Sequence, residues 1–118
     1  MAQYDHLPVF RAAYDLALSI DRAVHGWSRY HKYTSGAELR ALSRSVLKDI
    51  IAANDQREPA ERLHYLRKAS ANIEMLKIML RLAHDGGGCS SRKQYLYLAA
   101  LVVEVAKQLS GWKRSTNV

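Results

Sequence analysis

Apolar side chains recur three and four residues apart over most of the chain, the spacing that lines one face of an α-helix. In the first segment Phe10, Ala13, Ala17, Ile20, Val24 and Trp27 keep this rhythm, and Val9, Leu16, Ala23 and Tyr30 make a second row at sevenfold spacing. They predict a helix over about residues 7–30. Pro8 suits its first turn, where a missing amide costs nothing. Gly26 lies inside it and weakens it by about 1 kcal/mol relative to Ala. A second helix is predicted over 36–54, with Leu39, Leu42, Val46 and Ile50 on its buried face and Leu47 and Ile51 widening it. Ser35 and Glu38 have the spacing of a capping box at its start.

The third predicted helix covers 59–84 and opens on Glu58-Pro59, with Glu61 complementing the helix dipole. Leu63, Leu66, Ile73, Leu76, Leu80 and Ala83 form one seam, and Met75, Ile78, Met79 and Leu82 form a second apolar surface. Gly86, Gly87 and Gly88 end it. The fourth covers 91–112, behind a second capping box at Ser91 and Gln94. From Leu96 to Val105 it is apolar almost all round, broken only by Glu104. A helix of that kind is buried on more than one side.

Four helices with short links predict an all-α, up-down-up-down antiparallel four-helix bundle. It fills a single domain, 1–118, ending in a basic tail at 113–118. The double apolar rows and the apolar fourth helix predict that copies of the bundle associate as a homo-oligomer.

Composition narrows the possible functions. The chain has 118 residues, 48% of them apolar, enough for a core without a disulfide or metal staple. Its 1 Cys excludes a disulfide within the chain. No charged leader precedes an apolar run, and the longest uncharged stretch, Gln94–Val103, is far too short to span a membrane. A cytoplasmic protein without membrane contact is therefore expected. Lys and Arg number 18 against 11 Asp and Glu, a formal charge of +7, which points to a polyanionic partner such as nucleic acid.

No catalytic residue, metal ligand set or cofactor is expected. Glu61 and His64 form a Glu-x-x-His, but a di-iron bundle needs that motif on two helices. Asp21 and His25 stand four apart with nothing to complete a set of ligands. His84, Asp85 and Cys89 share a loop whose three glycines make a poor rigid scaffold for a nucleophile and its base. The same glycines lack the Lys-Ser/Thr ending of a phosphate-binding loop.

The basic residues carry more information. Arg40, Arg44 and Lys48 stand four apart on the second helix. Like charges at that spacing cost about 0.2–0.5 kcal/mol per pair unless an anion or neighbours such as Glu38, Asp49 and Asp55 offset them. Lys77 and Arg81 repeat the arrangement on the third helix, with Arg67 and Glu74 on the sevenfold row of Arg81. From residue 86 onward Arg92, Lys93, Lys107, Lys113 and Arg114 face Glu104 alone. Lys113 and Arg114 suit a helix C-terminus, whereas Arg92 and Lys93 open a helix, where the dipole disfavours cations. The ten candidates for contact with nucleic acid or a protein partner are thus Arg40, Arg44, Lys48, Arg67, Lys77, Arg81, Arg92, Lys93, Lys113 and Arg114. Tyr30, Tyr33, Tyr95, Tyr97 and Trp112 are available either to stack on bases or to anchor the core.

Leu80-Arg81-Leu82-Ala83-His84-Asp85, then Lys93-Gln94-Tyr95, Glu104, and Gln108-Leu109-Ser110-Gly111-Trp112-Lys113 resemble the accessory variability determinant (Avd) proteins of diversity-generating retroelements. Those relatives close the third helix with Arg-Leu-Ala, open the fourth with Gln-Tyr and end it with Gly-Trp. Tyr33-Thr34-Ser35-Gly36 also matches, while His31-Lys32-Tyr33 replaces a Phe-Pro-Lys-like segment and the triple glycine is unusual. The resemblance implies a four-helix bundle assembled as a pentamer. It implies association with a retroelement reverse transcriptase and with RNA and possibly DNA, in support of mutagenic reverse transcription. It implies no enzymatic activity. Five chains at +7 each would repel one another without anionic partners or salt. The four-helix proteins encoded in ribosomal RNA intervening sequences share the architecture, and their resemblance implies the alternative, a structural oligomer without a nucleic-acid role.

Overall fold

The computed structural model describes residues 4–116. It is built from helices α1 (Pro8–His25), α2 (Arg29–Tyr33), α3 (Ser35–Asp55), α4 (Pro59–Asp85) and α5 (Arg92–Ser115). The four long helices form the expected antiparallel bundle: α3 packs along α4, α4 along α5, and α1 closes the ring against α3 and α5. At ~1.5 Å per residue α4 is about 40 Å long, so the 44 Å long axis of the molecule is one helix in length.

The core follows the apolar rhythm. Ala13, Ala17, Ile20, Val24 and Trp27 are buried from the first segment, and every member of the α4 seam, Leu63, Leu66, Ile73, Leu76, Leu80 and Ala83, is buried. Leu39, Val46 and Ile50 of α3 and Leu98, Val102, Val105 and Leu109 of α5 belong to the same cluster. Truncating a fully buried Leu or Ile of this kind to Ala costs about 2–5 kcal/mol. One carboxylate enters this interior. Asp49 of α3 is 7% exposed, accepts a 2.9 Å hydrogen bond from Asn72 Nδ2 and lies 3.8 Å from Lys68 Nζ, so α3 and α4 share a polar pin amid apolar packing.

The first helix is shorter than the periodicity predicts. It ends at His25, with Gly26 as its C-cap, and the chain turns so that Trp27 enters the core before α2 begins at Arg29. Gly26 is the weak point at which the helix stops. The second apolar row therefore splits: Val9 and Leu16 are buried, whereas Tyr30 is out on α2 and exposed. The fourth predicted helix instead runs longer, to Ser115, so Lys113 and Arg114 form its last turn instead of a tail. Residues 117–118 of that tail lie outside the described residues.

The two capping boxes fare differently. Ser91 Oγ accepts the Gln94 amide at 3.1 Å, as expected, but Gln94 Oε1 reaches back to the Ser90 amide, one residue earlier than the motif requires. At α3 no side chain caps the helix. A single residue, Thr34, separates α2 from α3, and its hydroxyl donates instead to the Tyr30 carbonyl at 2.7 Å.

Two glycines fix the geometry of this end. A methyl group at Gly36 would lie 2.6 Å from Val24 Cγ1 and 2.9 Å from the His31 carbonyl oxygen, so only a glycine lets the start of α3 press against both α1 and α2. Gly87, at φ 89°, takes the left-handed conformation that favours glycine. The amides of Gly86, Gly87 and Gly88 bond to the carbonyls of Leu82, His84 and Ala83 at 2.9, 3.0 and 2.7 Å. The triple glycine is thus a hydrogen-bonded termination of α4, not the loose scaffold its composition implies.

Gly36→Ala is expected to lower stability by about 1–3 kcal/mol, the usual cost of overpacking against groups that cannot move aside. Gly26→Ala, where the methyl meets only the Ala23 carbonyl at 3.7 Å, is expected to change it by less than about 1 kcal/mol. Urea denaturation of the two variants, followed by circular dichroism, checks the contrast.

Candidate functional site

The ten basic candidates do not gather in one patch. Arg40 and Arg44 stand on α3 facing α1, where Asp21 takes both: its Oδ1 accepts Arg40 Nε at 3.1 Å and its Oδ2 accepts Arg44 Nη2 at 2.8 Å. Their partner is therefore on another helix, not Glu38, Asp49 or Asp55. Lys48 continues the stripe, exposed. Arg67, Lys77 and Arg81 are exposed along α4, and Arg81 lies 3.8 Å from Asp85 one turn on, not against Glu74 or Glu104. Arg92 and Lys93 open α5 at one end of the bundle, while Lys113 and Arg114 close it at the other. Among the described residues Lys48, Arg67, Lys77, Arg92, Lys93, Lys113 and Arg114 make no ion pair.

Periodicity passes over Arg29 and Lys32, because it reads Arg29 as the end of one long helix and Lys32 as loop. They belong to α2, at the same end as Arg92 and Lys93. The helix is seated by its neighbours. The buried Trp27 donates its indole N–H to Gln94 Oε1 at 2.9 Å, and a methyl at Gly88 would lie 3.3 Å from the His31 ring. Of the five aromatics singled out, Tyr95 stacks flat on His84, with ring centroids 4.3 Å apart, and Trp112 is half-buried beneath Arg62, whose guanidinium carbon lies 5.8 Å from the ring centre. These two anchor the bundle. Tyr30, Tyr33 and Tyr97 are exposed.

The residues considered for catalysis and metal binding are engaged elsewhere. Both oxygens of Asp21 are held by arginines, and His64 is exposed with its ring edge-on to Tyr65. Asp85 lies by Arg81, His84 lies against Tyr95, and its Nδ1 is buried without a hydrogen-bond partner. Burial pushes the Cys89 thiol up from its ordinary value, the opposite of what activates a nucleophile. Among the described residues no three His, Cys, Asp or Glu side chains come together to hold a metal ion, and no helix is long and apolar enough to cross a membrane.

Apolar side chains also stay outside. Met75, Ile78 and Leu82 are 46%, 57% and 56% exposed on one face of α4, and Leu96 and Val103 are exposed on α5. Beside the α4 stripe a shallow groove of about 430 Å³ runs between α3 and α4, lined by Ala41, Leu42, Met75 and Met79 with Glu38 and Ser45 at its rim.

A ring of four antiparallel helices, a basic surface and an uncovered apolar face define a small helical-bundle protein whose distinctive chemistry is on its outside. The chain belongs to the bAvd-like family, whose model matches residues 11–116. Its fold is similar to the crystal structure of a protein of unknown function from the S23 ribosomal protein family of Bacteroides thetaiotaomicron. The two are 17% identical, with a TM-score of 0.83 over 91% of this chain and 96% of that one. Comparison with curated proteins gives no match.

Two outcomes follow from these contacts. Asp21→Asn is expected to change stability by less than about 1 kcal/mol, because both ion pairs are solvent-exposed. It also releases Arg40 and Arg44, so the variant should elute from a heparin column at higher salt than the parent. The Cys89 thiol should alkylate more slowly than a free thiol at neutral pH. Its rate should still be climbing at a pH where an ordinary thiol has levelled off, as followed with a chromogenic thiol reagent.

Proposed function

We propose that this protein is a non-enzymatic accessory subunit that binds nucleic acid and associates with a retroelement reverse transcriptase and its template RNA, supporting mutagenic reverse transcription. The observation that carries the reading is that six of the ten candidates, Lys48, Arg67, Lys77, Arg92, Lys93 and Arg114, are exposed cations without an acidic partner among the described residues. Membership of the bAvd-like family supports the rest.

Such cations neutralise phosphates and release condensed counterions, which gives affinity with little sequence preference. The dispersal of these residues over both ends and two faces fits a partner that wraps the particle better than one that enters a cleft. Arg40, Arg44 and Arg81 join this surface if a phosphate replaces the carboxylates they now face. Lys113, half-buried in the last turn of α5, joins it at the far end. The exposed stripe of Met75, Ile78 and Leu82, with Leu96 and Val103, serves self-association, and the resemblance to Avd proteins makes the number of chains five. The protein then works in the cytoplasm, free of membrane.

The pairing of Arg40, Arg44 and Arg81 with acids of the same chain favours a second reading, an oligomer of the intervening-sequence type with a structural role and no nucleic-acid function.

Light scattering combined with a salt series of labelled RNA decides between them. The first reading expects a mass of five chains and an affinity that falls at least about tenfold between 50 and 200 mM salt. An oligomer indifferent to RNA at low salt supports the second. Ile78→Glu with Leu82→Glu is expected to reduce the mass to that of one chain while leaving the helical circular dichroism intact, since neither side chain belongs to the core.

A further inference from the structure

Helix α2 buries none of its five residues, yet Tyr30 and Tyr33 on it are the two most exposed large apolar side chains of the described residues, at 72% and 69%. Exposed apolar residues scattered singly need no explanation. Two tyrosines three apart on so short an element are a different matter, because that spacing puts both rings on one side of the helix. They are interleaved with Arg29 and Lys32.

The mount beneath them is firm. Trp27, two residues before α2, is buried and bonded to Gln94, while His31 lies against Gly88. The Thr34 hydroxyl closes on the Tyr30 carbonyl, and Gly36 holds the next helix tight against the His31 carbonyl. The exposure of the two rings thus belongs to a fixed surface and not to a loose tail.

The surroundings are cationic. α5 starts at this end with Arg92 and Lys93, has no acid in its first turn, and neither cation makes an ion pair. The acids nearby are mostly occupied: Asp21 by Arg40 and Arg44, and Asp85 by Arg81, leaving Glu38 one turn into α3.

We propose that this end of the bundle is a stacking platform for unpaired bases, with Tyr30 and Tyr33 receiving base faces and Arg29, Lys32, Arg92 and Lys93 receiving the phosphates between them. The proposal rests on the nucleic-acid reading above and deepens it by naming the form that is bound, a single strand. Exposed aromatics among cations are how single strands are held without sequence preference, since every base has a π-face. A duplex keeps its base faces against one another and can satisfy only the cations. Cations alone would hold both forms through their phosphates, and the tyrosines add an attraction that only a single strand can use.

The test uses the full chain and fluorescence anisotropy, with an unstructured single-stranded RNA and a duplex of equal length. Tyr30→Ala with Tyr33→Ala is expected to weaken single-strand binding by at least about tenfold, to leave duplex binding within about twofold, and to leave the salt slope unchanged. Tyr30→Phe with Tyr33→Phe, which keeps the rings, is expected to bind as the parent does. Arg92→Gln with Lys93→Gln is expected to weaken both forms and to reduce the single-strand salt slope by about 1.4. Unchanged single-strand affinity in the alanine pair, with the parent binding normally, overturns the platform. Equal losses on both forms, with loss of helical signal, overturn it in favour of a packing role. A parent that binds neither form overturns the nucleic-acid reading itself.

Discussion

One side-chain oxygen ties together the two breaks at the α2 end of the bundle. Gln94 Oε1 accepts the Trp27 indole N–H and the Ser90 amide, each at 2.9 Å. The first bond fixes the point where α1 gives way to α2, and the second fixes the point where the glycine turn gives way to α5. A buried polar group left without a partner costs about 1–3 kcal/mol, so loss of this oxygen would strand the part-buried Trp27 indole N–H and leave the exposed Ser90 amide to water. The direction in which α2 leaves the bundle, and with it the placement of Tyr30 and Tyr33, depends on this shared acceptor.

The opposite end is closed by a different device. Arg62 donates to the carbonyls of Ala53 and Gln56, at the end of α3, and its guanidinium lies over the Trp112 ring. One cation therefore completes the C-terminus of α3, where backbone carbonyls lack helical partners, and joins it to the last turns of α5. The motifs through which the chain resembles its relatives are largely these closures: Gln94 and Tyr95 at one end, Trp112 at the other. They mark how the bundle is shut more than what it touches.

Much of the fold was legible because the burial pattern repeats along the helices. Each residue of the α4 seam is buried, and the second row of Met75, Ile78 and Leu82 stays outside, as a helix with two apolar faces requires. The break at Gly26 was harder to read. A glycine inside a periodic run does not by itself end a helix, and Trp27 just beyond it is bonded to a partner 67 residues away in sequence. The absent cap at Ser35 has the same origin, since α2, unseen in the spacing, leaves only Thr34 between two helices. For the candidate site the sequence supplied the cations but not their pairing. Asp21 meets Arg40 and Arg44 across a helix interface, and spacing along one helix holds no trace of it. Arg29 and Lys32 escaped notice for want of the short helix that presents them.

The span of the Trp27–Gln94 bond has a kinetic side. Contacts of α1 with α3, α3 with α4, and α4 with α5 join neighbours along the chain and close short loops, whereas α1 and α5 meet only across the whole sequence. Loops of that length form late, after local contacts have lowered their entropic cost. During synthesis the Trp27 indole has no partner until Gln94 has been made, so a nascent chain carries its tyrosines on a segment held only by its neighbours α1 and α3. The long-range part of the mount beneath them thus carries a larger loop-closure cost than the local contacts around it.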